Sequence, residues 1–360
     1  MPRASDHRSG EVDARPAVSR PVRRAASAAV VVASLAGGLG APAVIPATAA
    51  TIEPVRAELV RVETIEYHAH DGPLRLAYVA LPSWYGPDRN PALPLVIGPH
   101  GRGVSAESML DRFGDLPAHG SFALVSPEGQ GRRLRRYSWG YAGQIDDLAA
   151  MPTRVTEALP WLKIDRTRIF AFGASMGGQE VLLLAARYPH LLAGVAAFDS
   201  TVDFALQYRN FGLIPCDPAC RRDWHGRLAV ILRRLARREV GGAPTTSPTA
   251  YAARSPATYA RRLAFSGLPL QLWWSRRDAV VRPARQSGAL FRRITELNPA
   301  RQVNAFVGGW AHGRFMRSDT GLPIALARFG LLPERFDRLP EGVHVLASPV
   351  LGGRIGSLGG

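Results

Sequence analysis

The sequence predicts an α/β fold: a mostly parallel, twisted sheet of about eight strands flanked by helices, with a lid insertion. Three observations predict it. Continuous apolar runs of strand length recur along the chain, helix-period segments separate them, and an alternating polar and apolar pair opens the series. Strands covered on both faces of a parallel sheet read as unbroken apolar runs, whereas an antiparallel pair with one wet face alternates.

The opening pair is "LVRVETIEYHA" and "LRLAYVALP", joined by "HDGP" as a hairpin or adjacent antiparallel strands. The buried runs follow as "LPLVIGPHG", "FALVSPEG", "RIFAFGAS", "LAGVAAFDS", "LPLQLWWSRRD" and "QVNAFVGGWAH". Between them, "IDDLAAMPTRVTEALPWL", "GGQEVLLLAARYPH" and "ARQSGALFRRITEL" carry helical periodicity. No internal repeat interrupts this order.

Two regions fall outside the rhythm. Residues 201–263 hold both cysteines, the arginine-rich helix "RLAVILRRLARRE" and the turn-forming "GGAPTTSPT", and they read as an insertion over the sheet's upper edge, a candidate lid. Its aromatic residues Tyr208, Phe211 and Trp224 fit either a substrate pocket or the insertion's own core. Residues 336–360, ending "LGGRIGSLGG", read as a weakly ordered, glycine-rich tail.

The first 49 residues differ in kind. A polar, arginine-bearing start ending "SRPVRRAA" gives way to "SAAVVVASLAGGLGAPAVIPATAA", which closes on Ala47-Thr48-Ala49. A charged head, an apolar stretch and an A-x-A site together predict an export signal, and hence a secreted or cell-envelope protein. Arg23 and Arg24, preceded by Ser19 and Arg20, loosely match a twin-arginine signal, and the general secretory route fits as well. Gly and Pro break the apolar run before it reaches the roughly twenty residues of a membrane span. The catalytic domain is then expected over 52–335.

At 360 residues and 46% hydrophobic content, the chain can bury a substantial core. The formal charge is +16, and removing residues 1–49, with six Arg against three acids, leaves +13. Lys163 is the only lysine, so the basic balance reads as a base-composition bias rather than a nucleic-acid footprint. The arginine clusters "GRRLRRY" (131–137) and "RRLARRE" (233–239) are expected on solvated faces; a role at a polyanion or membrane surface is the alternative. Cys216 and Cys220, separated by three residues that include Pro218, are expected to form a local disulfide in an exported protein. A metal site would need further ligands, and His225, Asp217 and Asp223 lack a recognised spacing.

The chemistry centres on "FGASMGGQ". Ser175 lies between the strand "RIFAF" and the helix "GGQEVLLLAARY", the strand, sharp turn and helix of a nucleophile elbow, with Gly173 and Gly177 leaving room for the tight approach. The competing reading is an N-cap serine beside helix-capping glycines. A serine nucleophile needs a base, and the base needs an orienting acid. Asp278 follows the strand "LPLQLWW", and His312 follows the next, in "VNAFVGGWAHGRF". Asp199, in "AAFDS", also ends a strand and is the alternative acid. His190 reads as a surface residue, His225 belongs to the insertion and His344 to the tail, which leaves His312 as the base. The loop "GPHGRGVS" after the first parallel strand, with His100, Gly101 and Gly103, would aim the Arg102 N–H together with the Met176 N–H at a substrate oxyanion.

The order Ser175, Asp278, His312, each just past a strand, resembles that of the α/β-hydrolase superfamily over residues 55–335. "YHAHDGPLRLAYVALPSWYGPDRNPALPLVIGPHGRG", "GASMGGQE", "ARSPATYARRL" and "WWSRRDAVVRP" are similar to its prolyl-oligopeptidase-like branch, which includes secreted feruloyl-esterase-like and polyester-depolymerase-like enzymes. The resemblance implies a triad on Ser175, Asp278 and His312. Two departures, an export signal where the peptidases carry a β-propeller and Met176 where their elbow has an aromatic residue, turn the expectation toward a compact carboxylesterase. No cofactor, metal or nucleic-acid partner is expected, and the substrate would be a small or polymeric ester. A small peptidase or amidase is the alternative within enzymes, and an inactive scaffold binding polyanions or envelope is the alternative outside them.

Overall fold

In the computed structural model, the described residues are 59–346 with the exception of 217, 219, 220, 223, 224 and 302. The segment expected to be an export signal, Cys220, Trp224 and the chain beyond 346 therefore lie outside them. All described residues belong to one compact unit, Pro54–Gly360.

Nine strands form a single sheet among these residues, in the order β1-β2-β4-β3-β5-β6-β7-β8-β9. The opening hairpin is β1 (Val60–His68) against β2 (Leu74–Pro82), antiparallel throughout. Strand β2 also pairs antiparallel with β4 (Ala123–Pro127), and from there the sheet is parallel. Its further members are β3 (Leu93–Ile97), β5 (Ile164–Ala174), β6 (Gly194–Phe198), β7 (Leu270–Ser275) and β8 (Asn304–Gly308). The expected sheet of about eight strands has nine among the described residues, the last being β9 (His344–Leu346), which adds to β8 antiparallel. It lies within the segment read as a weakly ordered tail, so that reading is corrected for residues 344–346.

The unbroken apolar runs have their cause in a core on both faces. Alternate residues such as Leu95, Ile97, Ala171, Val195, Leu272 and Trp274 meet one helical layer. That layer is built from α2 (Ala142–Ala158), α3 (Met176–Arg187), α7 (Ala260–Phe265) and α8 (Ser287–Leu297). The intervening Val96, Leu124, Phe172, Phe198, Trp273 and Phe306 face α1 (Ala106–Phe113) and α9 (Gly321–Ala327) on the other side. Trp273 stacks between Phe198 and Phe306, at 5.4 and 3.7 Å between ring centres. Full burial of each such side chain is worth roughly 1.5–3 kcal/mol, so the middle of the sheet is a rigid base for the loops at its carboxyl edge.

The insertion folds as α4 (Phe204–Asn210), α5 (Leu228–Val240) and α6 (Pro248–Ala253), followed by α7. Its Phe204, Phe211, Leu232 and Tyr251 form a third core together with Trp139 from the loop after β4, with Tyr208 packed against it. Phe211 is thus packed in this core.

Candidate active site

Four neighbouring strands deliver the site. Ser175 follows β5, Asp199 follows β6, Asp278 comes shortly after β7, and His312 shortly after β8. In a parallel sheet all four strands end at the same edge, which is where such folds gather their functional groups.

Ser175 has φ +59° and ψ −117°, a region that L-residues avoid, and is held there from both sides. Its N–H donates to Phe198 O at 3.0 Å, while Gln179 N–H donates back to Ser175 O at 3.0 Å. The glycines around it are forced by space. A Cβ on Gly177 would sit 2.6 Å from Pro99 O, one on Gly173 would collide with the Gly177 backbone, and one on Gly178 with Ser200 Oγ. Gly178 was not singled out by the sequence motif, and its need appears only when Ser200 is brought beside it.

The "PHGRG" loop after β3 packs on this turn. A Cβ on Gly101 would lie 3.9 Å from Ala174 O, and Gly103 takes φ +76° beside the Tyr137 ring. His100 is buried and spans the loop: Nδ1 lies 2.8 Å from Gly101 O, and Nε2 accepts the Gly129 N–H at 2.9 Å. Burial pushes its pKa down, as expected of an imidazole that must stay neutral to accept that proton. His100 therefore fixes the loop that carries Arg102. The Arg102 side chain is half-buried near Tyr137, and burial lowers its guanidinium pKa from the ordinary value.

Met176 opens α3, and its buried side chain enters the core of the insertion with Trp139, Phe204 and Phe211. Gln179 ties the same helix to the loop after β4 and to the insertion, donating to Trp139 O at 3.1 Å and Arg254 O at 2.7 Å.

His312 Nδ1 lies 2.7 Å from Asp278 Oδ2. A carboxylate can only accept, so Nδ1 carries a proton, and in the neutral ring Nε2 keeps the lone pair. The Asp278 carboxylate is 1% exposed and the His312 ring 19%, so the acid is inside and the base reaches the surface of the edge. Asp278 is itself fixed by the N–H groups of Val280 and Val281, which donate to Oδ1 at 2.8 and 2.9 Å.

Asp199, the alternative acid, does something else. It is buried at φ +42°, and its oxygens accept from the Trp310 indole N–H at 2.9 Å, Gly313 N–H at 2.9 Å and Ser275 N–H at 3.1 Å. One ligand-type atom from each of Asp199, Asp278 and His312 falls within 4.8 Å of the others, a spread that a cation could bridge. The oxygens, however, are engaged by N–H donors.

Solved structures with this architecture include the Mycobacterium tuberculosis puromycin-hydrolyzing peptidase, with a TM-score of 0.56 and 19% identity over 82% of this chain and 42% of that one. The Pyrococcus horikoshii acylaminoacyl peptidase matches with a TM-score of 0.52 and 16% identity over 74% and 40%. A fungal esterase of Rhizomucor miehei matches with a TM-score of 0.56 and 13% identity over 79% of this chain and 88% of that one. The chain has the α/β-hydrolase fold. Its likeness to the first of these solved structures extends over about two-fifths of their length. No protein-family model and no curated protein matches the sequence. Within the α/β-hydrolase fold the elbow, the Asp278 loop and the His312 loop all lie at the carboxyl edge, and no described helix is long and apolar enough to cross a membrane.

Proposed function

We propose that the protein is an exported serine hydrolase that cleaves carboxylic esters through an acyl-enzyme. The observation that carries the reading is the 2.7 Å contact between His312 Nδ1 and Asp278 Oδ2, at the same sheet edge as a serine held at φ +59°. His312 Nε2 takes the Ser175 proton as Oγ attacks the acyl carbon, and Asp278 holds the tautomer and stabilises the imidazolium. The N–H groups of Met176 and Arg102 receive the oxyanion. His312 then returns the proton to the departing alcohol, and activates the water that releases the acid and frees Ser175. Residues 201–263 act as the lid in this reading, and Cys216 with Cys220 as its staple.

A peptidase or amidase is the second reading, supported by the peptidases that share the fold. The solved structures that share the fold include peptidases and an esterase, so they support the two readings alike. A fluorophosphonate probe on the chain lacking residues 1–49 tests the chemistry, with labelling of wild type and none of Ser175→Ala expected. Equal labelling of both would overturn the nucleophile, and no labelling of either would point to an inactive scaffold. Turnover of p-nitrophenyl esters without turnover of dipeptidyl amides is the expected outcome of a substrate panel, and the reverse would establish the peptidase.

A further inference from the structure

The elbow and the Asp278–His312 pair leave one buried carboxylate at this edge unused. Asp199 sits at the end of β6, where its own N–H continues the ladder to Trp273 O at 2.8 Å and its backbone takes φ +42°. That conformation is uncommon for a residue other than glycine, and it persists only where the surroundings hold it. Here the side chain supplies the hold. Asp199 Oδ2 accepts from Trp310 Nε1 and Gly313 N, both at 2.9 Å, and Oδ1 from Ser275 N at 3.1 Å.

Trp310 and Gly313 bracket His312 in the sequence. We propose that Asp199 is a positioning residue whose ionised carboxylate grips the loop on either side of His312 and so sets the imidazole against Asp278. The inference rests on the reading of Ser175, Asp278 and His312 as a triad. Asp199 does not replace Asp278, because Nδ1 of His312 is already taken at 2.7 Å.

The three partners of Asp199 are all N–H groups, so each needs an acceptor. A protonated carboxyl would turn an O–H toward donors and give up part of the grip. The surroundings set when that happens. Burial, the largest influence, and then Asp278 raise the Asp199 pKa, while His312 and the hydrogen bonds from Gly313 and Trp310 lower it, and together they leave it pushed up to about 6. From the strand after β6, Asp278 is thus the facing like charge, and exposed Arg276 and Arg277 lie on the same loop. From the β8 loop, His312 faces it, and Arg317 lies behind, donating to Gly313 O at 3.1 Å. Since the folded pKa is raised, the grip is present above about pH 6 and lost as pH falls through it.

The test compares wild type and Asp199→Asn across pH 4.5–9 with an acetate ester. Asp199→Asn is expected to lower kcat roughly ten- to hundredfold with little change in KM, the cost of a misplaced base. Its acid limb should lack the ionisation near pH 6 that steepens that of wild type. A wild-type kcat, or an unchanged acid limb, would overturn the proposal. Trp310→Phe keeps the ring and the carboxylate but removes one donor; it should move the acid limb to higher pH, and an unmoved limb counts against the proposal even if Asp199→Asn does not fold. The downfield proton resonance of His312 Nδ1–H needs no turnover. It should shift near pH 6 in wild type and show no such shift in Asp199→Asn. If it does so while Ser175 takes no fluorophosphonate, the hydrolase reading fails and the positioning role stands; if both proteins show the same titration, the positioning role fails.

Discussion

Glu239 and Arg254 form an ion pair at 3.1 Å inside the insertion, with the Glu239 side chain fully buried. The same carboxylate accepts three successive backbone N–H groups, from Arg132, Arg133 and Leu134, at 2.6, 2.8 and 2.9 Å. One acid thereby joins α5 to the arginine-bearing loop that follows β4. Glu239→Ala leaves a buried guanidinium and three N–H groups without their acceptor, a class of change that costs about 3–5 kcal/mol. Urea denaturation should show that loss, and limited trypsin digestion should show new cleavage at Arg132, Arg133 or Arg135. Glu239→Gln, which keeps an oxygen acceptor, should lie between.

Gly177→Ala tests the seating of the elbow against the "PHGRG" loop. The added Cβ would meet the backbone oxygen of Pro99 at 2.6 Å, which no side-chain rotation relieves. The expected result is a destabilisation of about 1–3 kcal/mol by thermal melting. If the proposed oxyanion donors Arg102 N–H and Met176 N–H act together, ester turnover should fall by more than tenfold in the fraction that stays folded, because they sit on the two segments that this contact joins. Wild-type turnover would show that the loop is not part of the reacting geometry.

Glu180 on α3 is buried, with Ser138 Oγ donating to it. Burial pushes its pKa up to about 8, against which the Ser138 hydrogen bond acts only partly. The folded state therefore holds a proton that the unfolded state gives up above the usual carboxylate range near 4.5. Stability should be greatest below that value and fall as pH rises toward about 8. Glu180→Gln removes the proton linkage, so its melting temperature should approach or exceed that of wild type at pH 9 and lose this advantage toward pH 4.5. Parallel pH profiles of melting temperature for the two proteins would contradict the assignment.

The strands of the sheet were legible because burial on both faces leaves no room for polar residues, and "LPLVI", "FALVS" and "VAAF" have none that matter. Strand β9 was not: three residues, "HVL", in a segment of Gly and Pro carry too little pattern, and their pairing is visible only once β8 is in place. Helix α1 was missed for a related reason, since "AESMLDRF" buries only Ala106, Met109 and Phe113. At the site, Ser175, Asp278 and His312 stood out because catalytic groups follow strands, and the structure sets Asp278 beside His312. The work of Asp199 was hidden, because "FDS" reads alike whether its carboxylate meets a histidine or the N–H groups of Trp310 and Gly313. Glu239 was hidden more deeply. It looks like one acid in a basic helix, and its partner Arg133 is 106 residues away in sequence.

Met176 carries a consequence for engineering. Its main chain belongs to the elbow and its side chain to the hydrophobic centre of the insertion, so the two modules share a residue rather than a surface. An insertion transplanted from another protein of this fold would need a hollow of matching size at that point. Without it the graft would press on the first turn of the helix and shift the Met176 N–H beside Ser175. Substrate range in this scaffold is therefore better altered by changing residues around the Met176 seat than by exchanging the insertion whole.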